Sequence, residues 1–360
     1  MAPIRVGIIG LSSVTSNVPA MGDGWAASVS SAQAAIQRHK LPPTTRAYGD
    51  PADLAKDSDV DLVVCCVRVP HHYALSMPSL KAGKDVFVEW PLAANLQQAE
   101  EMLATAKQSG SKTIVGLQAR TDPFIRKTKE LIESKAIGDL LSSNLYFDMG
   151  FPGDAEPPNT DYQSKKVNGA SVFNILFAHA ADPAFYALGG LEDVSALLTT
   201  RWSETKVTNA GGSFNRMMKR ETPDHIMMHG TLLNNSAPIS IEVRNGEAFK
   251  DTPNLTWRIF GTKGEIRLTA NMAMNLSLGG KLELFDREKD VVEVIDVEWA
   301  DAVKDLPPFS KNIGMLYELF ATGGTPEQGA VSFEEAVGMQ RIIDAMERSS
   351  EGGKKERIAR

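Results

Sequence analysis

Up to about residue 120, short runs of consecutive apolar residues alternate with stretches in which apolar positions recur at helical spacing. Four runs, 4–9, 61–67, 85–88 and 113–117, are rich in valine and isoleucine on consecutive positions, the pattern of parallel strands covered on both faces. Between them the spacing predicts helices over 31–39 and 96–108, the second capped by Asn95 and stopped at Gly110. Strand and helix in alternation predict a doubly wound sheet. One more helix is predicted over 124–134, and the pattern then changes. Strands are predicted over 141–149, 194–202, 225–233, 239–244, 255–260, 265–269, 281–285 and 291–297, several with the period-two alternation of a sheet that has one face on a core. Gly261-Thr262-Lys263-Gly264 supplies a hairpin turn, and helices are predicted over 171–188, 310–320 and 333–348. The stretch 151–168 reads as a long loop near the junction, where lids and substrate contacts often sit.

The expected fold class is therefore α/β: a Rossmann-type doubly wound domain over 1–122, then an α+β substrate and oligomerisation domain over 123–360 whose final helices pack back on the body. A length of 360 residues accommodates two domains at roughly 150 residues each. With 42% hydrophobic and 23% charged residues the chain is of ordinary globular type. A formal charge of −7 and no basic tail argue against direct nucleic-acid contact, which needs clustered Lys and Arg. No apolar run approaches the length of a membrane span or a signal-peptide core, and the two cysteines, Cys65 and Cys66, sit in an apolar run as reduced thiols. A cytoplasmic protein is expected.

The first strand runs into Gly10-Leu11-Ser12-Ser13-Val14-Thr15, where a dinucleotide fold carries G-x-G-x-x-G. Gly10 permits the tight turn, Ser12 stands where the backbone approaches the pyrophosphate, and Thr15 where helix and strand pack. A serine keeps its N–H and adds a hydroxyl donor, so phosphate binding at the helix N-terminus is retained. Only about fifteen residues separate Gly10 from the short apolar piece Trp25-Ala26-Ala27, which allows a first crossover helix of about two turns. Beyond that piece an NAD enzyme places an Asp or Glu on the ribose hydroxyls; this chain reads Ser28-Val29-Ser30-Ser31. Without a carboxylate there, Ser30 and Ser31, with Arg38, are expected to accept a 2′-phosphate, so NADP is preferred and NAD remains possible. Ser30 or Ser31 also suits a helix cap, and both roles are compatible.

Several segments resemble the Gfo/Idh/MocA oxidoreductase family, and within it the branch related to the galactose-regulon repressor. They are Asp61-Leu62-Val63-Val64 with Val67-Arg68-Val69-Pro70-His71-His72, Ala82-Gly83-Lys84-Asp85-Val86, Glu89-Trp90-Pro91-Leu92, Gly116-Leu117-Gln118-Ala119-Arg120, Asn174 to Asp182, and Ile259 to Ile266. The resemblance implies a dinucleotide domain, a second domain built on a large, mostly antiparallel sheet, and a nicotinamide at their interface. It implies cofactor contacts from Val67, Arg68, His72, Glu89, Trp90 and Gln118 and a substrate contact from Asn174. It also implies a homo-oligomer, dimer or tetramer, through the sheet's open face. Most members act on sugars, polyols and similar carbonyl compounds, while the repressor-like branch includes a protein that binds the nucleotide but serves regulation; a regulatory protein partner is the alternative expectation for this chain.

Hydride transfer at a carbonyl carbon needs a proton donor or acceptor at the oxygen. The family's Glu-Lys-Pro lysine is Trp90 here, whose indole donates a hydrogen bond but exchanges no proton near neutral pH. Trp90 reads either as an aromatic wall of the site or as a core side chain; Glu89 and Pro91 shape the loop, with a cis Trp90-Pro91 bond implied by the resemblance. His179 matches the family histidine and is the acid/base candidate. Asp182, three residues on, shares its helix face and is expected to orient the ring. The family's Asp four residues before the histidine is Ile175. Gln118 and Arg120 follow a strand at its carboxyl edge, where open α/β sheets bind ligands, and Arg120 is a candidate substrate contact. His225 and His229 would lie about 13 Å apart on a strand, so no metal site is expected.

Overall fold

The computed structural model describes residues 3–10, 28–156, 160–209 and 212–359. Its first sheet is wholly parallel, in the order β1 (Val6–Ile9), β2 (Leu62–Cys65), β3 (Asp85–Val88), β4 (Thr113–Val115). Every residue of β2 is buried, which explains its unbroken apolar run. Helices α1 (Val29–Arg38), α2 (Pro51–Lys56), α3 (His72–Lys81), α4 (Leu96–Ser109) and α5 (Pro123–Glu133) accompany it. The predicted ends of α4 are present: the Asn95 side chain accepts from the Gln98 N–H at 3.0 Å, and Gly110 closes the helix at φ 74°. Neither α2 nor α3 leaves a helical signal in the sequence, for physical reasons. α2 is six residues long, and α3 is buried around most of its circumference, including Ser76 and Ser79, so it shows no amphipathic stripe.

The second sheet is formed by β5 (Leu140–Asp148), β7 (Leu191–Thr199), β10 (His225–Leu232), β11 (Pro238–Arg244), β12 (Leu255–Gly261), β13 (Gly264–Ala270), β14 (Lys281–Asp286), β15 (Val291–Ile295) and β16 (Glu356–Arg357). Its spatial order is β15-β14-β13-β12-β5-β11-β10-β7-β16, antiparallel except for the β5–β11 pair. Alternation along β10 and β12 buries Ile226, Met228, Trp257 and Ile259 on one face. The opposite face carries polar side chains that pair across strands, Arg258 with Glu265 and Arg267 with Glu283. β6 (Ala155–Glu156), β8 (Glu204–Thr208) and β9 (Phe214–Lys219) make a small third sheet, so the stretch 151–168 is not wholly loop.

Helix α6 (Ala178–Leu188) continues a π-helical turn over Val172–Phe177, whose Ser171 cap accepts from the Asn174 N–H. The last helices, α7 (Pro308–Thr322) and α8 (Phe333–Gly352), return to the first sheet. The Val115 N–H donates to the Val331 carbonyl at 2.8 Å, Gln340 Nε2 to the Ala93 carbonyl at 3.0 Å, and the Tyr317 ring stacks on Phe87 with centroids 5.4 Å apart.

Candidate functional site

The carboxyl edge of the parallel sheet collects most of the candidates. Gly10 ends β1 at φ 109°, and a Cβ there would lie 2.0 Å from the Cys66 carbonyl oxygen, so only glycine fits this turn. Leu11, Ser12 and Ser13 lie outside the described residues, as do Thr15 and the Trp25-Ala26-Ala27 piece. At the start of α1, Ser28 is the N-cap: its hydroxyl accepts from the Ser31 N–H, and Ser31 Oγ donates back to the Ser28 carbonyl at 2.9 Å. Ser30 Oγ lies 2.9 Å from Ser28 Oγ, so three hydroxyls gather at one helix end. Arg38 does not join them. It occupies the last turn of α1, about 12 Å along the axis from Ser30 at 1.5 Å per residue.

Beyond β2 and β3 two loops are tied together by His72. The imidazole is buried, with Nδ1 2.8 Å from the Pro91 carbonyl and Nε2 2.9 Å from the Val67 carbonyl. Burial lowers its pKa against the pull of both carbonyls; a neutral ring donates to one of them, an imidazolium to both. Arg68 places its guanidinium 4.9 Å from the centre of the Tyr162 ring, reaching the junction loop. Glu89 packs over Gly116, where a Cβ would meet its Oε2 at 2.2 Å, and accepts from the Cys66 thiol at 3.9 Å.

Burial pushes the Glu89 carboxyl up to about 7. Between its ordinary value of 4.5 and about 7 the folded chain holds a proton that the unfolded chain has released, so this group's contribution to stability is present at low pH and is lost as pH rises through that window. Glu89→Gln is expected to flatten the fall, which for one proton has a slope of up to about 1.4 kcal/mol per pH unit. Denaturation of both proteins between pH 4.5 and 7.5 checks this; parallel curves would reject it.

Trp90 is 5% exposed and precedes Pro91 through a cis peptide bond. Its Nε1 donates to the Asn174 carbonyl at 2.8 Å, joining the loop after β3 to the π turn before α6. Asn174 Oδ1 accepts from Ser171 Oγ at 2.7 Å, so the side chain expected to meet substrate has its amide oxygen engaged within the cap. The turn after β4, Gln118–Thr121, packs against α6. Gln118 Oε1 is buried there without a hydrogen-bond partner among the described residues.

His179 on α6 is 6% exposed, and its Nδ1 likewise has no partner among the described residues. Burial lowers its pKa to about 4, so the imidazole is neutral at physiological pH. The expectation that Asp182 orients this ring is not met. Both Asp182 oxygens are taken by Arg120, from Nε at 2.8 Å and from Nη2 at 2.6 Å. Arg120 is correspondingly committed to Asp182, with its guanidinium 5.4 Å from the centre of the Tyr186 ring, rather than held ready for substrate.

A buried ion network lies below the junction loop. Arg220 donates to Asp224 at 3.1 Å, Glu156 at 2.7 Å and the Gly153 carbonyl at 3.1 Å, while Asp224 accepts from the backbone of Arg201 and Trp202. Nothing in residue spacing signals a pairing between positions 64 apart. Lys165 and Lys166 of that loop pair with Glu221 at 2.8 Å and Glu351 at 3.3 Å, and His225 and His229 lie on β10. Among the described residues no cluster of His, Cys, Asp or Glu is arranged to hold a metal ion, and no helix is long and apolar enough to cross a membrane.

The chain matches two family models: the oxidoreductase family with an NAD-binding Rossmann fold over residues 4–117, and the Gal80p C-terminal domain over residues 123–270. It is 30% identical to the dehydrogenase aclE of Aspergillus oryzae, covering 97% of each chain. It is 27% identical to the galactose/lactose metabolism regulatory protein GAL80 of Saccharomyces cerevisiae, covering 97% of this chain and 93% of that one. The crystal structure of a super-repressor mutant of Gal80p from Saccharomyces cerevisiae superposes with a TM-score of 0.85 at 26% identity, over 99% of this chain and 98% of the other.

Proposed function

The chain belongs to the Gfo/Idh/MocA oxidoreductase family, and from that membership we propose that it is an NADP-preferring oxidoreductase acting on a small hydroxyl or carbonyl compound: a sugar, a polyol or a secondary metabolite. One observation carries the reading. Of seven buried side-chain atoms without hydrogen-bond partners among the described residues, two, Gln118 Oε1 and His179 Nδ1, belong to elements that pack against each other at the carboxyl edge of a parallel sheet. Buried polar atoms are nearly always satisfied, so a pair of this kind in the ligand-binding region of such a sheet is suited to a hydroxyl-bearing ligand. In this reading the nucleotide lies over Gly10, Val67 and Glu89, and His179 is the acid/base group. The substrate faces Gln118 and His179, and Trp90 forms a wall held by Asn174. Two free cysteines are consistent with a reducing compartment and hence the cytoplasm, and the open sheet face is the surface we assign to a homo-oligomer. NADPH absorbance followed against a panel of sugars, polyols and ketones tests turnover. Silence across the panel with nucleotide binding intact would count against an enzyme.

A second reading, a nucleotide-sensing regulator without turnover, rests on Trp90. Its N–H is spent on a backbone carbonyl, and no lysine stands in its place. Co-purification of a specific protein partner whose affinity changes with NADP favours that reading, and a kinetically competent substrate removes it. Both readings share a cofactor expectation. Fluorescence titration should show NADPH binding more tightly than NADH, and Ser30→Asp should reverse the order by roughly tenfold, because a carboxylate repels the 2′-phosphate and accepts from the ribose hydroxyls. NADH binding as tightly as NADPH to the parent protein would overturn the NADP preference.

A further inference from the structure

The two ends of the nine-stranded sheet are finished differently. At one end β16 lies on β7, and the Ile358 N–H donates to the Glu192 carbonyl at 3.0 Å, so that edge is covered by the chain's own tail. At the other end β15 pairs with β14 only, and among the described residues none of its backbone groups bonds to anything beyond β14. The strand is also apolar on both faces: Val291, Val292 and Val294 are 54%, 55% and 51% exposed. An open strand edge with exposed aliphatic side chains is a template for a further strand.

Its charge says which strand. From 288 to 301 the sequence holds six carboxylates against one lysine, Lys289. Lys289 is paired with Asp286, and Asp301 with Lys304, while Glu293, Asp296 and Glu298 are exposed and form no ion pair among the described residues. A second copy of this chain is a poor occupant. Antiparallel pairing through the centre of β15 sets Glu293 against Glu293 of the copy, and in-register parallel pairing places the same two side by side; like charges so placed are destabilising. A strand with lysine or arginine opposite Glu293 and aliphatic residues on either side meets both the carboxylate on β15 and its valines, with Asp296 and Glu298 adding negative charge just beyond the strand.

We propose that β15 is a docking edge for an extended basic segment of a partner protein, alternating lysine or arginine with aliphatic residues, which adds as a further strand. The proposal is independent of the redox reading, and its test contains no nucleotide. The probe is a fluorescein-labelled peptide of alternating lysine and valine, titrated into the full chain at low salt and followed by anisotropy. The controls are the same peptide N-methylated at alternate residues, which removes the donors along one edge, and a glutamate–valine peptide.

The lysine–valine peptide is expected to bind and to slow amide exchange over Val291–Ile295, and both controls to bind about tenfold or more weakly. Glu293→Lys, at an exposed position, is expected to weaken the lysine–valine peptide about tenfold while leaving the circular dichroism unchanged. Absence of binding, equal binding of the N-methylated peptide, or an affinity untouched by Glu293→Lys would overturn the proposal and leave Glu293 as a guard against edge pairing. Amide exchange over Val291–Ile295 that slows with rising protein concentration in the absence of peptide would overturn it in favour of a second copy seated on this edge.

Discussion

Asp182→Ala is expected to lower the stability of the fold by about 3–5 kcal/mol, because it leaves the Arg120 guanidinium buried without its counter-charge. The side chains of the pair are 11% and 2% exposed, and both hydrogen bonds of the planar fork are short and direct. In such a site the desolvation of each ion is offset only by the other, so removing one partner costs far more than the pair contributes. The double variant Arg120→Met with Asp182→Leu removes both charges and fills similar volume, and it should recover most of the loss. Urea denaturation of the parent, the single and the double variant gives the three values. A single variant within about 1 kcal/mol of the parent would mean that water reaches Arg120 and that the pair behaves as an exposed one. The pair also ties the turn after β4 to α6, so the single variant should loosen the helix that carries His179.

That ion pair marks where reading from the sequence ran out. Strands with unbroken valine and isoleucine, the caps at Asn95 and Gly110, and the alternation along β10 and β12 are local or periodic signals, and the sheets follow from them. The family motifs named Glu89, Trp90, Gln118, Arg120, His179 and Asp182, and the fold brings these residues to one sheet edge and the helix packed against it. What the motifs did not carry was partnership. Asp182 shares a helix face with His179, and that spacing suggested a histidine–carboxylate couple; the arginine 62 residues earlier takes both oxygens instead. Arg38 failed for the converse reason, since it is close to Ser30 in sequence but at the far end of a helix. α3 escaped notice because a helix buried on most sides has no polar face to contrast with its apolar one.

His179→Gln is expected to lower turnover by about 10²–10⁴-fold once a substrate is in hand, with NADPH affinity unchanged. Burial holds the His179 pKa near 4, so the imidazole is neutral at the pH of an assay, and its Nδ1 has no partner among the described residues. A neutral imidazole at this position would accept the proton of a substrate hydroxyl, and a nicotinamide bound at the sheet edge would supply the hydride acceptor. Asp182 does not stabilise the resulting imidazolium, because its charge is balanced by Arg120. The neutral ring is the form able to accept a proton, so alcohol oxidation is the direction in which its role should be assayed. Its signature is a kcat/KM profile for oxidation that is insensitive to this group from about pH 5 upward and falls as the pH approaches 4. Glu89, held near 7, would add a separate limb, which Glu89→Gln should remove while leaving the limb near 4 in place. If His179→Gln turned over at the parent's rate, the histidine would be a packing residue and the proton would have to travel through Glu89 or water. If oxidation instead rose with a limb near 6.5 that vanished in His179→Gln, the ring would be solvated when substrate binds, and the site would open further than its 6% exposure indicates.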